Sequence, residues 1–154
     1  MKCPRCGLIT EVPVPQCLGC AFSIASVDRF FRQVPKRDGF VNDWTKALTP
    51  EQLRILDENL KNLSAQLNGE IVVVLIQTTK PVKPSEYVFW LFNRWQVGGP
   101  DQKGVMILIA FKERRVESEV GYGWEPILSD LESGQILDNL LVPHLREGKV
   151  YEGL

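Results

Sequence analysis

Four cysteines, Cys3, Cys6, Cys17 and Cys20, are the only ones in the chain, and all fall within its first twenty residues. They form two Cys-x-x-Cys pairs, Cys3-Pro4-Arg5-Cys6 and Cys17-Leu18-Gly19-Cys20. Four thiolates are enough to close a tetrahedral zinc site with bonds of about 2.3 Å. Two intervening residues let each pair turn back as a knuckle, and Gly7 relieves the strain after the first. The spacer from Gly7 to Gln16 is ten residues, which admits a tiny hairpin with arms Leu8-Ile9-Thr10 and Val12-Pro13-Val14. A four-thiolate site has no open coordination position, so the expected role is structural rather than catalytic. A segment this short holds too few apolar side chains to fold without the metal.

Two other uses of the cysteines fit less well. Disulfides belong to oxidising compartments, and no apolar signal stretch follows Met1-Lys2-Cys3-Pro4. A thioredoxin-like redox pair would follow a strand inside a βαβ unit, which neither pair does. Residues 1–22 look like a short zinc ribbon of the Cys-Pro-x-Cys-Gly type, with Cys3, Cys6, Cys17 and Cys20 as ligands.

The whole chain has 154 residues, 44% of them hydrophobic and 24% charged, which suits a packed domain rather than a disordered chain. Its net charge of −1 argues against a general nucleic-acid binder, which needs a basic surface to displace counterions. A single histidine, His144, excludes sites built from several histidines within one molecule. No apolar run approaches the roughly 18–20 residues that span a bilayer. The chain is therefore expected in the cytoplasm. Because Tyr151-Glu152-Gly153-Leu154 follows a helix start so closely, the natural protein is expected to continue, and membrane association is expected only through an anchor past Leu154.

Charge divides unevenly along the chain. Residues 1–40 carry six basic and three acidic side chains, and residues 41–154 carry twelve against sixteen. Residues 23–40 read as a linker. Phe22, Phe30 and Phe31 would dock the ribbon on the main domain, or Arg29, Arg32, Lys36 and Arg37 would meet an acidic protein partner.

The remainder, 41–154, reads by period. Thr49-Pro50-Glu51-Gln52 is an N-cap, a first-turn proline and a capping box, and Leu53, Leu56, Leu60, Leu63 and Leu67 form one apolar stripe. Ile71 to Ile76 and Val105 to Phe111 are unbroken apolar runs, expected as strands buried on both faces. Ser85 to Trp95 is a second helix, Val116 to Val120 a third strand, and Ser129 to about Leu145 a last helix disturbed by Pro143. Helix, strand, helix, strand, strand, helix with doubly buried strands predicts a three-layer α/β/α sandwich.

Several stretches occur in a familiar order: Val41-Asn42-Asp43, Trp95-x-Val97-Gly98, Lys103-Gly104-Val105, Glu119-Val120-Gly121-Tyr122-Gly123-x-Glu125, Leu128-x-Asp130 and Pro143-x-Leu145-Arg146. This order resembles the TPM domain family, which includes thylakoid lumen proteins, photosystem II repair factors and a nematode receptor accessory protein. The resemblance covers residues 41–154 and implies the same α/β sandwich. It also implies a choice of activities. One is a non-catalytic protein of assembly, maintenance or membrane-associated scaffolding. The other is a weak metal-dependent phosphatase, a phosphomonoesterase, or a calcium-binding domain.

Topology says which acids can meet. A right-handed crossover makes the first two long strands parallel, and a hairpin returns the chain to their starting end. Asp101 should then lie near Tyr122, Glu125 and Asp130, and Asp43 at the opposite end of the sheet. Clustered carboxylates beside a Gly-rich loop suit a hard cation such as Ca²⁺, so Asp101, Glu125 and Asp130 are the candidate cation ligands. Asp101 and Asp130 are the weak catalytic candidates. The same acids equally suit helix caps or solvated loop positions. Lys103 stands where the family often carries an acid or amide, which removes one oxygen ligand. Trp124, between Gly123 and Glu125, is the aromatic residue most expected at an interaction surface.

Overall fold

The computed structural model describes residues 2–10 and 14–154. At its centre lies β2 (Glu70–Ile76), whose β-branched run is too apolar to sit anywhere but between two layers. It pairs in parallel with β3 (Gly104–Ala110), Val72 opposite Met106 and Val74 opposite Leu108. Beyond β3, the antiparallel β4 (Arg115–Val120) forms one edge. The other edge is β1 (Val41–Asp43), a strand missing from the three expected. Three residues are too few to display a period, and β1 exists because β2 offers it a ladder: Val73 N–H donates to the Phe40 carbonyl at 2.7 Å.

Alternation along the strands divides the core. Val72, Val74, Met106 and Leu108 face α3 (Pro84–Arg94), where Trp90 and Leu91 are fully buried. Val73, Leu75 and Ile109 face the other way, against Leu53, Leu56 and Leu60 of α2 (Pro50–Leu67) and against Leu137 and Leu141. Helices therefore cover both faces, and the architecture is the three-layer α/β/α sandwich. Because β1, β2 and β3 lie in sequence across the sheet while α2 and α3 lie on opposite faces, the two crossovers have opposite hands. The right-handed rule therefore holds for only one of them.

Local sequence explains the helix limits. Thr49 accepts from Gln52 N–H while the Gln52 side chain accepts from Thr49 N–H, and Asn68 ends α2 in the left-handed region. The final helical stretch divides into α4 (Asp130–Ile136), a π-helical turn (Leu137–Leu141) and α5 (Val142–Arg146). Pro143 has no N–H, and its ring would press on the carbonyl four residues earlier in a regular helix. The wider turn just before it relieves that contact. A last short helix, α6 (Val150–Gly153), follows.

Residues 23–40 run along α3. They contain a four-residue helix, α1 (Ala25–Asp28), whose Asp28 accepts from Trp90 Nε1 at 2.8 Å and pairs with Arg94. Phe31 stacks on Trp90 with ring centroids 5.0 Å apart, while Phe30 points outward beneath Arg29.

Candidate metal centre

The two cysteine turns are copies of one backbone motif. In the first, Gly7 N–H donates to the Cys3 carbonyl at 2.9 Å and Cys3 N–H to the Leu8 carbonyl at 2.8 Å. In the second, Ala21 N–H donates to the Cys17 carbonyl at 2.9 Å and Cys17 N–H to the Phe22 carbonyl at 2.8 Å. The residue after each pair adopts the left-handed conformation, with φ of 80° at Gly7 and 59° at Ala21. Glycine does so freely, whereas alanine carries a steric penalty there. Of the expected hairpin, Glu11 and the start of the second arm at Val12-Pro13 lie outside the described residues, and Ile9 bridges to Lys2.

These turns aim all four sulfurs at one point. Every Sγ lies within 4.8 Å of the others, with Cys3 and Cys20 3.7 Å apart and Cys6 and Cys17 3.6 Å apart. Sulfurs at tetrahedral positions about 2.3 Å from a metal ion would be about 3.8 Å apart, so the spacing fits. A disulfide, at about 2.05 Å, does not describe it, and all four cysteines are free. Backbone N–H groups of Cys20 and Gly19 point at the Cys17 sulfur and draw its thiol down to about 7. Burial pushes the Cys20 thiol up to about 12. Four thiols this close cannot all ionise without a cation among them.

The ribbon is bolted to the sandwich. Cys17 and Phe22 belong to the α3 core, where Phe22 meets Phe89 edge to face at 5.6 Å. Ser85 Oγ donates to the Pro4 carbonyl at 2.9 Å, and Arg5 Nε donates to Glu86 at 2.7 Å. Between ribbon and sheet remains a cavity of about 150 Å³, walled by Phe22, Phe89, Phe92 and Tyr122, with Glu119 on its floor.

Of the predicted acidic residues, Glu125 and Asp130 lie near enough to act on each other and on Tyr122, while Asp101 lines a different surface. Among the described residues, the four cysteines are the only group of three or more His, Cys, Asp or Glu side chains close enough to share an ion. Asp101 lines an open groove with Arg37, Lys61, Glu70 and Lys103. Asp130 begins α4 and accepts from the Lys2 backbone N–H, and its proton affinity is raised by burial and by Glu125. Asp43 lies at the opposite end of the sheet, where its carboxylate caps Thr45 and Leu48.

Sequence reasoning passed over Glu119. It sits opposite Met106 on β4, and burial first, then Asp130 and Glu125, hold its carboxyl well above the usual range. The available signal was Val116-Glu117-Ser118-Glu119-Val120, whose alternation suggests a solvent face; the ribbon covers that face instead.

The glycines of the familiar motif have a packing role. Gly121 N–H donates to the Gly104 carbonyl at 2.8 Å and Gly123 N–H to the Gln102 carbonyl at 3.1 Å. A Cβ at Gly121 would stand 2.1 Å from the Gln102 carbonyl oxygen, and one at Gly123 2.2 Å from that of Asp101. Trp124, expected outside, is buried with Val105 and Val120. Its environment is the gap beside Gly69, where a Cβ would stand 2.0 Å from the indole.

Comparison with known proteins agrees with this geometry. No curated protein matches the chain. The N-terminal domain of a protein from P. gingivalis, solved by solution NMR, is 24% identical with a TM-score of 0.67, over 82% of this chain and 79% of that one. The N-terminal domain of the cg2496 protein from Corynebacterium glutamicum is 17% identical, with a TM-score of 0.61 over 77% and 75% of the two chains. The BA42 protein from Bizionia argentinensis is 19% identical, with a TM-score of 0.61 over 71% and 75%. These likenesses establish the fold. Residues 41–154 also match the family described as the TPM domain, and on that match the chain belongs to the TPM domain family.

Proposed function

We propose that the chain is a non-catalytic TPM-domain protein of assembly, maintenance or scaffolding, with a structural zinc ion in its cysteine ribbon. One observation carries the reading: among the described residues, the only side chains placed to share a metal are four thiols within 4.8 Å of one another, joined to the core of the sandwich through Cys17. Such a site holds an ion and offers no position to a substrate. Zinc is the metal that best suits four thiolates in that geometry. Elemental analysis of the purified protein should find one zinc per chain, and no phosphomonoester turnover with Mg²⁺, Mn²⁺, Ca²⁺ or Zn²⁺. A folded, metal-free protein sinks the first half, and turnover sinks the second.

A second reading has its own support. Glu119, Glu125 and Asp130 each raise the proton affinity of a neighbour, which marks concentrated negative charge beside Tyr122. Carboxylates so arranged attract a hard cation such as Ca²⁺, and on this reading the protein is a calcium-binding domain or a weak metal-dependent phosphatase. Turnover that disappears in Asp130→Asn, or calcium-dependent shifts in amide resonances of residues 119–130, would establish it over the first.

A further inference from the structure

Two exposed surfaces remain that neither the metal centre nor the core explains, and they are opposites in charge. The first is the segment 29–37, which has four basic residues and no acid. Phe31 anchors it on Trp90 and Trp95 Nε1 donates to the Pro35 carbonyl at 2.8 Å, so its backbone is fixed. That anchoring leaves Phe30 and Val34 at the surface, 42% and 39% exposed, between Arg29, Arg32 and Lys36, none of which forms an ion pair with a described residue.

The second surface is α4 with its flanking turns. From Ile127 to Leu145 the chain has three acidic residues, Asp130, Glu132 and Asp138, and neither Lys nor Arg. Leu137 and Leu141 are spent on the core, yet Ile127, Leu131 and Leu140 stand 79%, 71% and 63% exposed beside Glu132 and Asp138. Large apolar side chains exposed in series on a charged surface mark an interaction site.

The fold keeps the two surfaces apart. The basic segment leads into β1, one edge of the sheet, and α4 follows β4, the other edge. They cannot satisfy each other within one molecule, but each matches the other on a second copy in sign and in apolar content. We propose that copies of this chain associate head to tail, the basic strip at Arg29–Lys36 of one copy resting on the acidic, apolar face of α4 and the π-helical turn of the next. Such a contact is heterologous, so it leaves one surface of each kind open at the ends and extends into chains or rings. The inference is independent of the metal and of any catalysis.

Charge reversal with mixing tests it. Sedimentation of the intact protein in 0.1 M salt should show average mass rising with concentration. In 1 M salt, where the screening length falls from about 10 Å to about 3 Å, the association constant should drop at least about tenfold. Arg32→Glu with Lys36→Glu should yield monomers, and so should Leu131→Lys with Asp138→Lys, a choice that spares the Ser129–Glu132 cap. Mixed in equal amounts, the two monomeric variants should associate again, because the intact strip of one meets the intact α4 face of the other and the two reversed surfaces also match in sign. That recovery also shows both variants to be folded. A wild-type protein that stays monomeric at millimolar concentration in 0.1 M salt overturns the proposal and leaves the surfaces to other partners; a mixture that stays monomeric overturns it as well.

Discussion

Arg5 and Glu86 join the ribbon to the sandwich: the guanidinium Nε donates to the Glu86 carboxylate at 2.7 Å, and the Glu86 side chain is only 7% exposed. The same guanidinium lies over the Phe22 ring at 4.7 Å. The Glu86 hydrogen bond holds Arg5 above its usual proton affinity. Removing one partner strands a buried carboxylate, which is dearer than losing both. Arg5→Ala should lower stability by about 1–3 kcal/mol, and adding Glu86→Gln to it should recover part of that loss. Urea unfolding of the two variants checks this, and equal losses in both would show that the charge pairing is irrelevant.

Metal removal should act on the ribbon first. The sheet and both helix layers have their own apolar cores, whereas among the described residues Cys17 and Phe22 are the ribbon's buried apolar side chains. A strong chelator is expected to release residues 2–22 and uncover Phe89 while leaving the sheet folded. Amide spectra should lose the dispersed ribbon signals and keep those of β2 and β3, and dye binding should rise. Unchanged spectra after the metal is gone would contradict the ribbon's dependence on it.

The paired knuckles predict a gain as well as a loss. Ala21 sits at φ 59° where Gly7 occupies the matching place at φ 80°. Ala21→Gly should stabilise the ribbon by about 0.5–1 kcal/mol, because relief of the left-handed strain outweighs the added freedom of the unfolded chain. Gly7→Ala should do the reverse. Competition with a colorimetric chelator reads both as shifts in metal affinity, and identical affinities would discount the argument.

Gly121→Ala should be poorly tolerated. Its Cβ would meet the Gln102 carbonyl oxygen at 2.1 Å, and backbone, unlike a side-chain tip, cannot swing aside. Separating the two loops should cost about 1–3 kcal/mol and break the Gly121–Gly104 hydrogen bond. Thermal melts measure the first, and hydrogen exchange at Gly121 the second.

The pH dependence should carry the mark of Glu119. Its folded-state affinity for protons is raised well above that of the unfolded chain, at about 4.3, so the folded protein binds more protons between the two values. Stability should therefore fall as pH rises through that window, since ionising Glu119 beneath the ribbon is unfavourable. Asp130 works in the same direction. Glu119→Gln should be more stable than wild type at pH 7 and show no advantage near pH 4. A constant difference across that range would assign the effect to packing instead of titration.

Much of the architecture could be read directly from residue order. The capping box at Thr49 and Gln52, the two apolar strands and the break at Pro143 are local matters, decided by a few neighbouring side chains, and the structure has them where the periods lie. What escaped was non-local. β1 is a strand only because β2 lies beside it, and Trp124 is buried only because Gly69 leaves room for its ring. Asp101, Glu125 and Asp130 were grouped by the topology of strand ends, which places them at one end of the sheet but says nothing of where their carboxylates point.

The sequence by itself determined the two cysteine turns, because each Cys-x-x-Cys pair is followed by a residue that takes the left-handed conformation and closes the same local hydrogen bonds. It determined the family too, through glycines that the Asp101–Gln102 backbone requires. Only the tertiary structure decided where the ribbon packs. It lays the knuckle against α3, covers the acidic face of β4, and turns Glu119 from an apparent solvent residue into a desolvated carboxyl. The reason is physical: covalent spacing fixes which atoms can reach a common ion, but burial depends on what the whole chain packs above a given face.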